Sequence, residues 1–542
     1  MQYYNYNKRS RFIYIYAYAA MLMWCFAACT KNYEKYNRNP LLATDEDVAK
    51  DNLLTGSLLL SMQKSVIPVS DYSYQRGQNL IGDVYAGYMG VTKDWDASRN
   101  TTTYVFKQDW IVEPFNDAFL KVLPAWNLIK KSGKTTSDGL ALANIIKVAC
   151  LHRTTDIYGP LPYLSFGSNT ITANAYDAQE RIYQSFFNDL DSSIAALTAY
   201  RLQDSSSTPM LAYDLVYGGN YLKWIKFANT LKLRLAMRIV YADPAKAKKY
   251  AEAAVANPYG VLTTPVEDDA LLKSISSVDI ANPLDIICNT YNDIRMGAFM
   301  EAVLQGYKDP RMAAWFIQSK ARPTDAEAGY YGIRNGLLID DANKYKSFSR
   351  LRVTSRTPML WMPVAEAYFL RAEGALRGWN MNGTAKELYE AGIKASFQQN
   401  QAGGVGDYIA DDKSIPAQYS DPLDDANTVS NSAYLKKPVT VAWNNGDDFE
   451  LNLEKIITQK WIALYPNGQE AWTEFRRTGY PRIFPVVYNF SSTVSTTRQV
   501  RRIPFPNTEY KNNPKGVATG VALLGGGGDL GSTQLWWDKK NK

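Results

Sequence analysis

The sequence predicts a mainly α-helical protein: a degenerate, tetratricopeptide-like superhelix of helix pairs, joined by long, irregular, aromatic-rich loops with little β structure. Apolar residues recur at intervals of three and four along much of the chain, and no long alternating apolar–polar series competes with them. The chain also has 38 Tyr and 13 Trp among its 542 residues. That number exceeds what a helical core needs, and such rings suit binding surfaces because each joins an apolar body to a polar group.

The first predicted feature is a secretion signal at residues 1–28. Basic residues precede 17 uncharged positions at 12–28, and these basic residues are Lys8, Arg9 and Arg11. The apolar stretch is short for a membrane-spanning helix, which needs about 20 residues. A positive start, an apolar middle and small residues at the end are typical of a secretory signal, with an uncleaved N-terminal anchor as the alternative.

The signal ends in Ala27-Ala28-Cys29, which resembles a bacterial lipobox, although Phe26 stands where leucine is usual. Cys29 would then be the lipidated first residue of a mature chain, with a tether at about 29–43 and a single domain over 29–542. Removing the signal leaves 57 basic and 53 acidic residues, a net charge of +4. A nearly neutral chain gives no electrostatic reason to expect nucleic-acid binding.

The helical spacing is clearest at 177–197 and 221–241. In the second of these, basic residues alternate with the apolar stripe, which fits a core-facing helix with a solvated far side better than a membrane-surface helix. The same spacing predicts helices at 45–64, 114–131, 137–154, 244–256, 293–305, 363–378, 385–399 and 448–464.

Some of these helices follow one another closely enough to form pairs. The clearest pair is 364–378 with 384–398, whose second helix carries Ala385, Tyr389 and Gly392 at the small–aromatic–small spacing of a tetratricopeptide repeat. We expect 114–131 with 137–154, and 177–197 with 221–241, to be further pairs. No regular 34-residue period is visible, so the repeat is degenerate.

The segments between the helices are too long to be simple connections. They are residues 87–113, 156–176, 258–292, 319–358 and 401–447. Loops longer than about 15 residues in a compact protein commonly bind a ligand or form small subdomains. They carry many of the aromatic rings, which either pack onto the helices or contact a ligand.

Catalytic and metal-dependent functions find little support in the sequence. A single histidine, His152, excludes sites that need two, and it lies in an apolar helical stretch where a structural role is expected. Acidic loop residues could hold calcium, although they lack EF-hand spacing; they are Asp407, Asp411, Asp412, Asp421, Asp424 and Asp425. No other cofactor is expected. Cys150 and Cys288 lie in apolar runs and are expected as buried thiols, with a disulfide as the alternative.

Several sequence blocks make the chain resemble the SusD/RagB family of nutrient-binding outer-membrane lipoproteins of Bacteroidetes-type bacteria, in its SusD-like branch. They are TDIYGPLPY at 155–163, WIKFANTLKLR at 224–234, QKWIAL at 459–464, FRRTGYP at 475–481, RIPFP at 502–506 and LWWD at 535–538. The blocks occur in order over most of the mature chain. Their Gly, Pro and Arg suit scaffold positions, and Arg476 and Arg477 are expected to bind carbonyls or carboxylates of the protein itself.

The resemblance implies a lipid-anchored protein on the outer face of the outer membrane. It would capture oligosaccharides without chemistry and deliver them to a TonB-dependent, SusC-like barrel. The family's ligand-binding rings follow no fixed motif, so the site is predicted from loop position and residue type. We expect ligand contacts from Trp95, Asn100, Tyr104, Tyr331 and Trp443, with Trp95 flanked by Asp94 and Asp96.

Two alternatives remain at this stage. One is a peptide-binding member of the same family, and the other is a helical-repeat adaptor that faces the periplasm and binds only proteins. The sequence does not define the nutrient.

Overall fold

A computed structural model describes residues 14, 16–18, 52–133, 135–168 and 175–540. The chain divides into two compact units, residues 1–54 and 55–542. Apart from a few helical positions at 14 and 16–18, the predicted signal, Cys29 and the tether at 29–43 lie outside the described residues. No helix among the described residues has both the length and the apolar composition that spanning a bilayer requires.

Long helices form the scaffold. In chain order they are α1 Leu53–Val66, α2 Ser137–Tyr158, α3 Gln179–Gln203, α4 Tyr221–Arg238, α5 Pro244–Val255, α6 Val364–Leu376, α7 Ala385–Gln399, α8 Phe449–Leu464 and α9 Gly468–Thr478. Shorter α-helices lie at Asp71–Tyr74, Gln108–Ile111, Glu113–Asn116, Leu123–Lys131, Pro283–Asp285, Ala298–Gly306, Arg311–Trp315, Val405–Ala410, Asn431–Tyr434, Asn507–Asn512 and Pro514–Ala522. π-helical segments occupy Gln75–Asp83, Asp117–Val122 and Ile286–Thr290, and 3-10 turns occupy Thr101–Thr103 and Asp425–Asn427.

The β structure in the described residues is limited to short strands and isolated bridges. The strands are β1 Met89–Val91, β2 Ala270–Leu272, β3 Ile294–Met296 and β4 Met359–Met362. β1 pairs antiparallel with β3, with Gly90 opposite Arg295, and β2 pairs antiparallel with β4. The predicted mainly α-helical fold is therefore confirmed.

Successive helices pack in pairs, as the tetratricopeptide-like pattern predicted. α2 packs against α3, α4 against α5, and α6 against α7. In α7, a Cβ placed on Gly392 would lie 2.8 Å from the Phe369 ring of α6, so glycine allows this close approach. The buried Tyr389 hydroxyl donates to the Val441 carbonyl at 2.7 Å and ties the pair to the following loop.

The helices of the other two predicted pairs also pack against each other, but each pair has a further neighbour. The helix at 137–158 packs against Leu123–Lys131 and more extensively against 179–203, and the helix at 221–238 packs against both 179–203 and 244–255. The stretch predicted as one helix at 293–305 is strand β3 followed by the helix Ala298–Gly306. Gly297 separates them because the chain passes close to another segment there: a Cβ on Gly297 would lie 2.4 Å from the Gly87 carbonyl oxygen.

A network of buried charges joins four of the long helices. Arg234 and Arg238 of α4 reach carboxylates of α6 and α9, with Arg234 Nη2 2.6 Å from Glu366 Oε2 and Arg238 Nη1 2.7 Å from Glu474 Oε1. Lys460 of α8 lies 3.2 Å from Glu474 Oε2. Because removing one member of such a network leaves a partner charge buried and unpaired, the network holds the helices in one relative arrangement.

Candidate ligand-binding surface

The loop that follows β1 holds Trp95 in a strained backbone. Asp96, Ala97 and Ser98 have φ of 56°, 52° and 59°, three successive non-glycine residues in the left-handed region. Each such residue costs on the order of 1–2 kcal/mol, so surrounding contacts must hold the loop. The Ser98 amide donates to the Asp94 carbonyl at 2.7 Å, and the Ile339 amide donates to Ser98 Oγ at 3.0 Å.

Asn100 supports this loop from inside. Its amide nitrogen donates to the Trp95 carbonyl at 2.9 Å, and its amide oxygen accepts from the Thr102 amide at 3.0 Å. Its side chain caps the 3-10 turn Thr101–Thr103, and the residue is only 1% exposed. Asn100 therefore positions Trp95, and its burial does not fit the ligand contact predicted for it.

Tyr104 is also internal. It is 2% exposed, its ring centroid lies 6.1 Å from that of Tyr85, and burial raises the pKa of its hydroxyl well above the ordinary value. The ligand contact predicted for Tyr104 therefore does not fit its position either. Its sequence context gave no indication of this, because an aromatic residue in a polar loop can point either way.

Trp95 is partly buried and has polar neighbours. Its ring meets Trp110 edge to face, with 5.7 Å between centroids and 89° between planes. The side chains of Asp94 and Asp96 are exposed, and Lys107 pairs with Asp96 while lying over the Trp110 ring. An indole with carboxylates beside it can stack on the apolar face of a ring and accept hydrogen bonds from its hydroxyls.

Two later segments join the early loop. The Val487 and Tyr488 amides donate to the Asn335 and Gly336 carbonyls at 3.0 and 2.9 Å, and the Phe490 amide donates to the Thr103 carbonyl at 3.0 Å. The surface these segments form together, residues 92–107, 333–340 and 485–490, is called the three-loop surface below.

Exposed apolar side chains on the three-loop surface include Tyr488, which is 46% exposed, and Leu338, which is 41% exposed. The guanidinium of Arg99 lies 4.4 Å above the Phe490 ring. Sequence reasoning missed Tyr488 and Leu338. The aromatic–polar–aromatic run Tyr488-Asn489-Phe490 was the available signal, but nothing in the sequence placed it beside the early loop.

Tyr331 lies close to this surface, whereas the contacts of Trp443 lie elsewhere. Tyr331 packs against a small separate apolar cluster that contains Ile339, with its ring centroid 5.8 Å from that of Phe348. Trp443 packs against Tyr389 of α7 at 5.4 Å, and its indole nitrogen donates to Asn445 Oδ1 at 2.9 Å. Ser98, in the same loop as Trp95, is hydrogen-bonded to Ile339, which belongs to the cluster against which Tyr331 packs. Trp443 instead packs on the helix pair α6–α7.

The histidine and the two cysteines of the described residues are buried. His152 is 1% exposed, its Nδ1 lies 2.9 Å from the Val148 carbonyl, and burial together with the charge of Arg234 lowers its pKa to about 3. Cys150 and Cys288 are buried free thiols.

The acidic loop residues proposed for calcium also have internal contacts. Asp421 accepts from the Tyr345 hydroxyl at 3.0 Å and from the Leu423 amide at 2.9 Å, and Asp411 accepts from the Lys413 and Ser414 amides at 2.9 and 2.8 Å. Within the described ranges, no group of three or more His, Cys, Asp or Glu side chains could hold a metal ion. Calcium binding stays a prediction.

The described residues thus form a scaffold of helix pairs that presents aromatic rings on irregular loops. The family model described as "SusD-like: Susd and RagB outer membrane lipoprotein" matches residues 35–538. The chain therefore belongs to the SusD/RagB family of outer-membrane lipoproteins.

Solved structures agree with this assignment. A chitin-binding SusD homolog from Flavobacterium johnsoniae is 42% identical with a TM-score of 0.84, over 90% of this chain and 99% of that one. SusD homologs from Bacteroides thetaiotaomicron and Bacteroides uniformis are 36% and 37% identical with TM-scores of 0.81 and 0.82, each over 90% of this chain and 99% of theirs. No curated protein matches the chain.

Proposed function

We propose that this protein captures an oligosaccharide at the three-loop surface and delivers it, chemically unchanged, to a TonB-dependent, SusC-like barrel. A lipid on Cys29 anchors it to the outer membrane with its ligand-binding surface facing the exterior. Stacking on Trp95 and Tyr488 supplies the apolar contact, and Asp94, Asp96 and Arg99 hydrogen-bond the hydroxyls. Tyr331 provides a further ring at the edge of this surface.

The observation that carries the proposal is that hydrogen bonds join the loop segments that bear Trp95, its exposed flanking carboxylates and the exposed ring of Tyr488. Binding to such a wet, polar surface exchanges water hydrogen bonds for protein ones, so the net gain is modest. Modest affinity suits a protein that must release its ligand to a transporter.

Chitin oligosaccharides are the first ligands to test, because the homolog from Flavobacterium johnsoniae is described as chitin-binding and is 42% identical to this chain. An N-acetylated sugar also has apolar ring faces and a methyl group for the aromatic side chains. A panel of other glycans and of peptides, applied to the same purified protein, distinguishes this proposal from a peptide-binding function.

Substitution of the exposed ring gives the sharpest test of the surface. We expect Tyr488→Ala and Trp95→Ala each to weaken chitin-oligosaccharide binding about tenfold, measured by isothermal titration calorimetry, through loss of stacking worth on the order of 1 kcal/mol. Tyr510→Ala is the matched control, since Tyr510 is 43% exposed on a separate short helix. Unchanged affinity in both loop variants, with an unaltered melting temperature, would place the ligand elsewhere.

The membrane orientation of the protein and its proposed transporter partner can be tested in cells. We expect protease added to intact cells to cleave the protein, and purification from native membranes to recover a large β-barrel with it. A Cys29→Ala variant should lose the acyl chains and leave the membrane fraction. Protection from external protease in intact cells, with cleavage only after the outer membrane is opened, would instead favour the periplasm-facing adaptor.

A further inference from the structure

A cavity of about 280 Å³ lies away from the residues of the three-loop surface, where β2, the helix Arg311–Trp315 and the ends of α7 and α8 meet. A cavity of roughly 150 Å³ is enough to hold benzene, so this one has room for a ligand of one or two rings. Its aliphatic walls come from four separate segments and include Leu271, Leu284, Val353 and Leu360.

The aromatic wall of the cavity is rigid. Trp315 and Tyr465 lie with ring centroids 4.9 Å apart, and Phe316 supports Tyr465 at 5.3 Å. The Trp315 indole nitrogen donates to Asn400 Oδ1 at 2.7 Å, and the Asn400 amide nitrogen donates to the Ser396 carbonyl at 2.8 Å. Asn400 therefore orients the indole and has little capacity left for a ligand.

Arg352 is the only charged side chain among the described residues that line the cavity, and Gln399 adds a buried amide whose Oε1 has no hydrogen-bond partner in the described part of the chain. Arg352 lines the cavity and is exposed; its Nε donates to the Ala313 carbonyl at 3.1 Å, while its two terminal nitrogens have no acceptor among the described residues. Among the described residues that line the cavity there is no Asp or Glu.

A guanidinium with free donors, beside an apolar, ring-sized space that has no carboxylate in its described lining, complements an anion with an apolar body. We propose that this cavity binds a small carboxylate with an apolar or aromatic ring, its carboxylate on Arg352 and its ring between Trp315 and the aliphatic wall. Charge-assisted hydrogen bonds from a guanidinium to a carboxylate are stronger than neutral ones, so the charged group should dominate recognition. The site is separate from the proposed glycan surface.

Phenylacetate and phenylacetamide test the proposal, because they share a shape and differ in charge. By NMR titration of the full-length protein we expect phenylacetate to bind with a Kd below about 1 mM, and phenylacetamide at least about tenfold more weakly. Arg352→Gln should remove that difference, and Val353→Trp should abolish binding of both by filling the cavity. Arg356→Gln is the matched control, since Arg356 is exposed, pairs with Asp279 and does not line the cavity.

Three results would each overturn the proposal. They are equal binding of the two probes, no binding of phenylacetate at about 1 mM, and phenylacetate binding that persists in Val353→Trp. Circular dichroism of each variant checks that it is folded. Chitin-oligosaccharide binding should be unchanged in Arg352→Gln, so failure of this proposal and failure of the glycan proposal are distinguishable.

Discussion

At the scale of residues, adjacent arginines of one sequence block have different tasks. Arg476 lies with its guanidinium 3.5 Å above the Trp472 ring and donates to the Asp156 and Arg501 carbonyls at 2.6 and 2.8 Å. Arg477 binds two carboxylates, with Nη1 and Nη2 2.8 and 2.6 Å from the two oxygens of Glu373 and Nη2 also 2.6 Å from Glu474. The expectation that this pair binds carbonyls or carboxylates of the protein itself is confirmed.

The Arg477 contacts predict a large stability effect. Burial alone would raise the pKa of Glu373, but the charges of Arg477 and Arg377 lower it to about 2, so the carboxylate stays ionised inside the protein. We expect Arg477→Met to lower the free energy of unfolding by about 3–5 kcal/mol, because it leaves buried carboxylates without their cationic partner. Urea denaturation measures the change, with Lys394→Met on the exposed face of α7 as control. A loss below about 1 kcal/mol would mean that the remaining cations satisfy Glu373 and Glu474.

Some of the candidate site residues could be predicted from the sequence and others could not. Trp95 was identifiable because exposed acids flank it, and it does lie in a strained loop. Asn100 and Tyr104 share that loop and have the same composition signals, yet their side chains point inward. Sequence proximity does not determine the direction of a side chain where three successive residues have positive φ. Composition therefore could not distinguish the residues that support this loop from those that lie on its surface.

At the scale of elements, helices with a clear apolar stripe and a cap were predicted well. α7 runs from Ala385 to Gln399 as predicted, because Thr384 and Glu387 cap it reciprocally and Gly392 fits beside Phe369. α9 was not predicted as a helix, because its residues are mostly polar and it is buried through charge pairs rather than through an apolar stripe.

The three-loop surface could not be predicted as a unit for a related reason. Its segments are joined by backbone hydrogen bonds between positions far apart in the chain, such as Phe490 to Thr103. Such bonds do not require particular residue types, because every non-proline residue has the same backbone donor and acceptor. Tyr488 therefore becomes a candidate only once the structure brings its segment beside the early loop.

At the scale of the whole molecule, buried acids fall into two groups with opposite effects on stability. Glu373 and Glu470 have cationic partners that lower their pKa values to about 2 despite burial. Glu301, on the helix Ala298–Gly306, accepts from the Gly332 amide and is only 7% exposed, and burial raises its pKa to about 8. The first group stabilises the fold above the ordinary glutamate pKa of about 4.5, and this stabilisation is lost as the pH falls toward 2.

The raised pKa of Glu301 predicts loss of stability on the alkaline side. Its contribution is fully present below about pH 4.5, where the folded and unfolded chains both hold the proton, and it declines until the pH passes about 8, where the folded chain ionises too. We therefore expect the unfolding free energy from urea titrations to fall between about pH 5 and about pH 9, and Glu301→Gln, which mimics the neutral acid, to reduce that fall by a few kcal/mol. Glu390→Gln, on the surface of α7, is the matched control and should leave the slope unchanged. The same slope in Glu301→Gln and in the parent protein would show that Glu301 is already ionised in the folded state at neutral pH.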